Sequence, residues 1–202
     1  MKKPSDSATR LLWRRPDHVL EARRGDAALV EQHADALLGW YNDPSNASMM
    51  GGSGTMTRAD VIDFWRELGE GGGHGYLSFV DGALVGDMDL RGISEDAGGA
   101  VAEFAIMIGD RTRQGAGLGR SFALMLHVHA FRDLGLTKLY VPPRRENARV
   151  HRLNDWLGYS RDDGEAARSY ADEEGCVTSS LDGATLRRLH PEAWTSVEAA
   201  LR

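Results

Sequence analysis

A single mixed α/β (α+β) domain is the architecture to which this sequence points, on three grounds. Its 202 residues are enough for one domain with a substantial core. Two stretches of helical periodicity in the first third give way to a period-two hairpin. After the hairpin come strand, helix, strand, helix and strand, a succession that predicts a mixed central sheet flanked by helices.

Residues 1–16 read as a flexible N-terminal tail, the domain then occupying 17–202, with a short strand over 17–21. A helix is expected over 26–41, where Leu29, Val30, Ala34, Leu37 and Leu38 recur at helical spacing. Asn42-Asp43-Pro44-Ser45 ends it, because proline disfavours a helical conformation in the residue before it. Beyond the glycine-rich run at 51–54, Thr57 is placed to cap a second helix with Asp60 at its third position. Val61, Ile62, Phe64, Trp65 and Leu68 follow, and Gly71-Gly72-Gly73 stops that helix.

Strand periodicity then takes over. Residues 76–80 and 83–90 flank Asp81-Gly82, a hairpin turn pair. The next strand, 101–108, is almost continuously apolar, which places it centrally in the sheet. A long helix opens at 115–119 and runs to about Gly135, apolar nearly all round and therefore heavily covered. Residues 138–141 form a short strand closed by Pro142-Pro143, and 147–157 a helix stopped by Gly158. Tyr159 starts another strand, 170–181 contributes the last one, and a helical tail is expected near 191–201.

Composition bounds the function. Hydrophobic residues make up 42% and charged residues 27%, an ordinary globular balance. No apolar run approaches the roughly 20 residues of a spanning helix, so no membrane role is expected. Cys176 is the only cysteine, which excludes a disulfide framework and a thiolate metal cluster and suits a cytoplasmic protein. No spacing suggests a metal site. A formal net charge of −6 argues against nucleic acid as a partner. Between Arg111 and Arg152, however, eight Arg and one Lys face only Asp133 and Glu146, a local +7 that leaves −13 elsewhere. That segregation suits a polyanionic ligand held locally; a solvated helix beside an arginine-rich loop is the other reading.

The run Arg113-Gln114-Gly115-Ala116-Gly117-Leu118-Gly119-Arg120 lies between a strand and a helix. Its glycines allow positive φ and close approach of the backbone, and its amides at a helix N-terminus suit a phosphate. A Walker A loop needs Lys-Ser/Thr after its last glycine, where this chain has Arg120-Ser121. A dinucleotide fingerprint needs G-x-G-x-x-G, whereas Gly115, Gly117 and Gly119 alternate. The pattern Q-x-x-G-x-G is met by Gln114, Gly117 and Gly119.

With the apolar strand 103–108 before it and the long helix after, this pattern resembles the GNAT superfamily of CoA-dependent N-acetyltransferases. The strand at 138–141, Asn147 opening the next helix, and Leu157-Gly158-Tyr159 extend the likeness over residues 83–159. Tyr41-Asn42-Asp43-Pro44 looks like the branch that includes ribosomal-protein, aminoglycoside and polyamine acetyltransferases. The resemblance implies a GNAT-type sheet with a V-shaped splay between two central strands and a CoA-binding core over 101–159. It implies acetyl-CoA as co-substrate, with the backbone of Ile106, Met107 and Ile108 pairing with pantetheine and amides of residues 114–120 holding the pyrophosphate. Asn147 would reach the pantetheine arm. Arg111, Arg113, Arg144, Arg145, Arg149 and Arg152 would be available to the adenosine phosphates.

Glu103, where the central strand enters that cleft, is the candidate proton acceptor for the attacking ammonium; a strand-end salt bridge is the alternative. Asp87 and Asp89 alternate on the neighbouring strand and so share a face, placing both as candidates to line the acceptor cleft. His127 and His129 read as core histidines, His74 as a loop residue, and Cys176 as a buried residue on a late strand. The family's tyrosine seven positions after the asparagine is Asn154 here, which puts the proton donor to the departing thiolate in doubt. Transfer of acetyl to a primary amine by direct attack is the expected function, with a small-molecule amine or a protein N-terminus as acceptor. A non-catalytic acyl-CoA-binding module is the rival. The apolar helix and the C-terminal strand would suit a homodimer.

Overall fold

The computed structural model describes residues 9–50, 55–96, 98–170, 176 and 178–200. In chain order the elements are β1 (Arg10–Arg14), β2 (Val19–Arg24), α1 (Ala27–Tyr41), α2 (Pro44–Met50), α3 (Arg58–Glu70), β3 (His74–Val80), β4 (Ala83–Asp96) and β5 (Gly99–Ile108). They continue with α4 (Leu118–Val128), β6 (Lys138–Val141), α5 (Ala148–Leu157), β7 (Ser160–Arg161), α6 (Glu165–Arg168), β8 (Ser179–Asp182), α7 (Gly183–Leu189), α8 (Pro191–Ser196) and β9 (Glu198–Ala200). One sheet joins all the strands in the order β7-β8-β6-β5-β4-β3-β2-β1-β9. Among the described residues only the β5–β6 pair is parallel.

Local chemistry explains the boundaries. The Asp26 side chain accepts from the Leu29 amide and starts α1. Thr57 and Asp60 form the expected reciprocal capping box on α3. Asp81 and Gly82 both have positive φ, 49° and 81°, the backbone that a two-residue turn needs to match the strand twist. Asn147 caps α5 through its side-chain oxygen, and Gly158 follows its end.

Helices cover both sheet faces. On one, α4 buries Leu118, Phe122, Met125, Leu126 and Val128 against Leu20, Tyr76, Met88, Leu90 and Phe104. On the other, Val30, Leu37 and Tyr41 of α1 and Val61 and Trp65 of α3 pack on Leu77 and Phe79. The apolar residues of α4 are buried in this core.

Several expectations need correction. The tail expected over 1–16 contains β1, which Leu11, Leu12 and Trp13 bury within the sheet between β2 and β9. The strand expected at 17–21 begins two residues later. The long helix runs near to its expected end, but its last turn, His129–Asp133, is π-helical. Of the strand expected over 170–181, the described residues show Ser179–Asp182, with a short helix before it; residues 171–175 and 177 lie outside the described residues, as does the glycine run at 51–54. Cys176 is half-buried on an isolated bridge to Arg144 rather than buried in a strand. The tail expected to be helical near 191–201 is helical only as α8 and finishes as β9, paired with β1. His74 is a buried strand residue, not a loop residue.

Two irregularities shape the centre. Arg91 pairs with Glu103 but Ser94 with Val101, so β4 bulges at Gly92-Ile93. On its other edge β5 pairs with β6 only through Val101, Ala102 and Glu103. Beyond Glu103 that edge has no ladder partner among the described residues, and here the two central strands part.

Candidate active site

The cleft begins where β5 loses β6. Residues 105–108 are half-buried while still bonded to β4, so one row of their backbone polar groups faces the opening. An extended polar chain laid there would complete the ladder as an added strand. Ile106, Met107 and Ile108 lie on this edge as expected.

The glycine loop closes the end of the same strand. Gly115 and Gly117 have φ of 83° and 80°, backbone that L-residues seldom adopt. A Cβ built at either meets nothing within 4 Å, so the loop faces open space. Gly117 caps α4 with no side-chain bond, and while the Arg120 amide turns back to the Gly117 carbonyl at 3.1 Å, the amides of Leu118 and Gly119 are left to whatever lies beyond the helix end. Gly115, Ala116, Gly117 and Arg120 are exposed, whereas Leu118 anchors the loop in the core. This cradle fits a phosphate: it is roomy, rich in N–H groups and sited at a helix N-terminus.

The Gln114 side chain braces the site. Its Nε2 donates to the Ile108 carbonyl at 2.8 Å, and its Oε1 accepts from Arg149 Nη1 at 3.0 Å. The side chain therefore ties β5 to the start of α5. Arg111 pairs with Asp43 at 3.2 Å, Arg113 lies 3.6 Å from Asp110, and the Arg120 guanidinium stacks 4.9 Å above the Trp156 ring. Arg152 is exposed on α5. Asn147 is buried with its oxygen engaged by the Val150 amide at 3.1 Å, so only its nitrogen is left to reach a ligand.

Seven residues further on, Asn154 is 4% exposed and both amide atoms lack a hydrogen-bond partner among the described residues. A buried amide with nothing to bond costs about 1–3 kcal/mol, so a polar group supplied from outside the chain would relieve it.

A group of acidic side chains lies on the α1–α3 face of β4 and β5. Cross-strand register puts Asp87 beside Met107, Asp89 beside Ala105 and Arg91 beside Glu103. Asp87 and Asp89, 8% and 5% exposed, are buried. Arg91 grips Asp89 with both ends of its fork, at 2.8 and 3.1 Å, and its Nε is 3.9 Å from Glu103. Burial holds the Asp89 carboxyl above the usual range against the pull of Arg91. Asp87 receives the Tyr41 hydroxyl at 3.2 Å, and Trp65 Nε1 donates to that hydroxyl at 3.2 Å. Burial, with the charge of Asp89 adding, pushes Asp87 up to about 8. Trp65 was legible in the sequence only as an apolar helix position and Tyr41 only as a helix end in the Tyr41-Asn42-Asp43-Pro44 run, because nothing in a helical stripe reveals what a phenol oxygen meets across the core.

The histidines do not enter the cleft. His127 is fully buried, bonded to the Ala123 carbonyl and the Tyr159 hydroxyl at 2.7 Å each. His129 sits between Tyr76 and Asp133, and His151 bonds the Arg144 carbonyl. Among the described residues no group of His, Cys, Asp and Glu could hold a metal ion. No described helix is long and apolar enough to cross a membrane.

Solved structures share this architecture. An aminoglycoside acetyltransferase, AAC(6')-Ib, solved with coenzyme A, aligns at TM-score 0.70 and 19% identity over 84% of this chain and 98% of its own. RimJ of Mycobacterium smegmatis, solved with CoA-disulfide, aligns at 0.69 and 15% over 95% and 97%. Spermidine N-acetyltransferase of Vibrio cholerae, solved with CoA and spermine, aligns at 0.67 and 15% over 83% and 97%. At such identities the likeness is one of fold. No curated protein matches in sequence. The acetyltransferase (GNAT) domain family matches residues 27–160, well over half of the chain, and its glycine loop, split strand pair and bulged β4 fall inside that match. The chain therefore belongs to the GNAT acetyltransferase family, whose chemistry is acetyl-CoA-dependent N-acetyl transfer.

Proposed function

We propose that this chain transfers the acetyl group of acetyl-CoA to a primary amine on a cationic acceptor, by direct attack and without an acyl-enzyme. The observation that carries the reading is the cleft's two-sided chemistry. One side is a half-open strand edge that runs into a glycine-lined helix N-terminus; the other is a buried group of carboxylates. In this reading the backbone of Ile106, Met107 and Ile108 receives the pantetheine arm, a strand amide near Met107 polarising the thioester carbonyl. Amides of residues 115–120 take the pyrophosphate, and Asn147 offers its nitrogen to the arm. Arg113, Arg120 and Arg152 supply positive charge around the adenosine phosphates. Asp87, Asp89 and Glu103 draw in an ammonium group, and fixing thioester and amine together supplies much of the rate.

An aminoglycoside, a polyamine and a basic protein N-terminus all present such an amine, and the first two are the kinds of acceptor named for fold neighbours. The test is release of free CoA thiol from acetyl-CoA with a panel of these amines, the acetylated product being identified by mass. Amine-dependent release with at least one of them is expected. Tight acetyl-CoA binding with no release would instead favour a binding module, the reading to which the missing tyrosine at Asn154 lends some weight.

A further inference from the structure

We infer that Asp87 takes the proton from the acceptor's ammonium, and that Tyr41 and Trp65, reaching in from two helices, fix its carboxylate for that task. This rests on the acetyl-transfer reading and deepens it.

The argument turns on the direction of two hydrogen bonds. An indole nitrogen donates and never accepts. With Trp65 Nε1 at 3.2 Å, the Tyr41 oxygen must accept there, and the phenol's own hydrogen is left for Asp87 Oδ2, also at 3.2 Å. Burial pushes the Tyr41 phenol well above its usual range, so it remains a donor through any working pH. Every hydrogen in the chain Trp65–Tyr41–Asp87 therefore points toward the carboxylate. Such a chain steadies the ionised form and turns the carboxylate; it cannot carry a proton away. Oδ1 takes no hydrogen bond among the described residues and is the oxygen available to an ammonium.

The other two carboxylates are committed elsewhere. Arg91 holds Asp89 in a fork and lies 3.9 Å from Glu103. A guanidinium lowers the basicity of a carboxylate beside it, whereas Asp87 is held by a neutral hydroxyl. Asp87 also lies directly across from Met107, on the half-open stretch of β5. Its surroundings are Tyr41 from α1, with Trp65 of α3 behind it, Asp89 and Arg91 along β4, Glu103 beyond Arg91 on β5, and apolar Leu77 and Met107 at its own level. Burial and Asp89 push its carboxyl up to about 8, with Tyr41 and Arg91 drawing it down.

The step balances. The ammonium gives one proton to Asp87, and the freed lone pair attacks the thioester carbon. The C–N bond forms, the C–S bond breaks and sulfur leaves with the electron pair. The thiolate takes the second proton, shed by the nitrogen of the adduct, and Asp87 returns its proton to solvent before the next turnover.

The test is a pH profile of kcat/KM for wild type, Asp87→Asn, Tyr41→Phe and Trp65→Phe, with CoA affinity by calorimetry. Wild type should climb with pH to a plateau above about 8. Asp87→Asn should lower kcat about 10²-fold or more with CoA affinity unchanged. Tyr41→Phe removes a donor to the ionised form and should move the acid limb up by about one pH unit, with Trp65→Phe moving it less. Wild-type kcat in Asp87→Asn, a loss confined to KM, or a Tyr41→Phe profile superposing on wild type would each overturn the assignment. If Asp87→Asn binds no CoA because it does not fold, the Tyr41→Phe profile decides. Absence of thiol release by wild type with every amine would sink the acetyl-transfer reading itself, whereas release that survives in Asp87→Asn sinks only this assignment.

Discussion

Replacing Gly117 by aspartate separates the phosphate cradle from the fold. The residue sits at φ 80°, ψ 0°, where a Cβ costs about 1–2 kcal/mol, Asp being among the side chains that tolerate it best. A built Cβ meets nothing within 4 Å, so no steric term is added. A carboxylate beside the N-terminus of α4 should recover about 0.3–1 kcal/mol. The net loss of stability is then about 1 kcal/mol, or a fall of about 2–4 °C in Tm for a chain of this size. The effect on the ligand is much larger. A carboxylate about 4 Å from a phosphate, at an effective dielectric of about 20, is repelled by about 4 kcal/mol. That corresponds to a Kd for CoA nearly 10³-fold weaker. Gly117→Ala carries the backbone strain without the charge, so it should lose comparable stability and far less affinity. Calorimetry with CoA, beside thermal unfolding of each variant, reads both quantities. Gly117→Asp binding CoA as tightly as wild type, or Gly117→Ala losing as much affinity as Gly117→Asp, would refute the reasoning.

Three further outcomes are expected. If exposed arginines act on phosphates, CoA affinity should fall as salt is raised and dephospho-CoA should bind more weakly than CoA; equal affinities in both comparisons would point to a mainly apolar pocket. Tyr159→Phe strips His127 Nε2 of its 2.7 Å partner deep in the core, and should cost about 1–3 kcal/mol in urea unfolding without changing CoA affinity. Burial drives the His74 and His127 rings down to about 3, against about 6.5 unfolded, so their neutral forms contribute stability above pH 6.5 that is lost as pH falls toward 3. His74→Phe should therefore lose less stability than wild type between pH 6.5 and 4, and parallel losses in the two proteins would contradict that sign.

Periodicity, caps and turns carried most of the architecture because they are local. Asp26 and Thr57 cap their helices, Asp81-Gly82 makes the hairpin turn, and residues 138–141 are the strand expected, since each depends on neighbours within a few positions. Gln114, Gly117 and Gly119 identified the family for the same reason: a helix N-terminus that leaves its amides open is written in one short run. Pairing between distant segments was not legible. Residues 10–14 are too short a run to show that β2 and β9 flank them, and the C-terminal stretch reads as helix until β1 offers β9 a partner. The acidic face shows the same division. Sequence alternation placed Asp87 and Asp89 together, but burial, the Arg91 fork and the Tyr41 hydroxyl distinguish a paired carboxylate from an unpaired one. Those groups come from β4, α1 and α3, and only tertiary packing brings them within hydrogen-bonding distance.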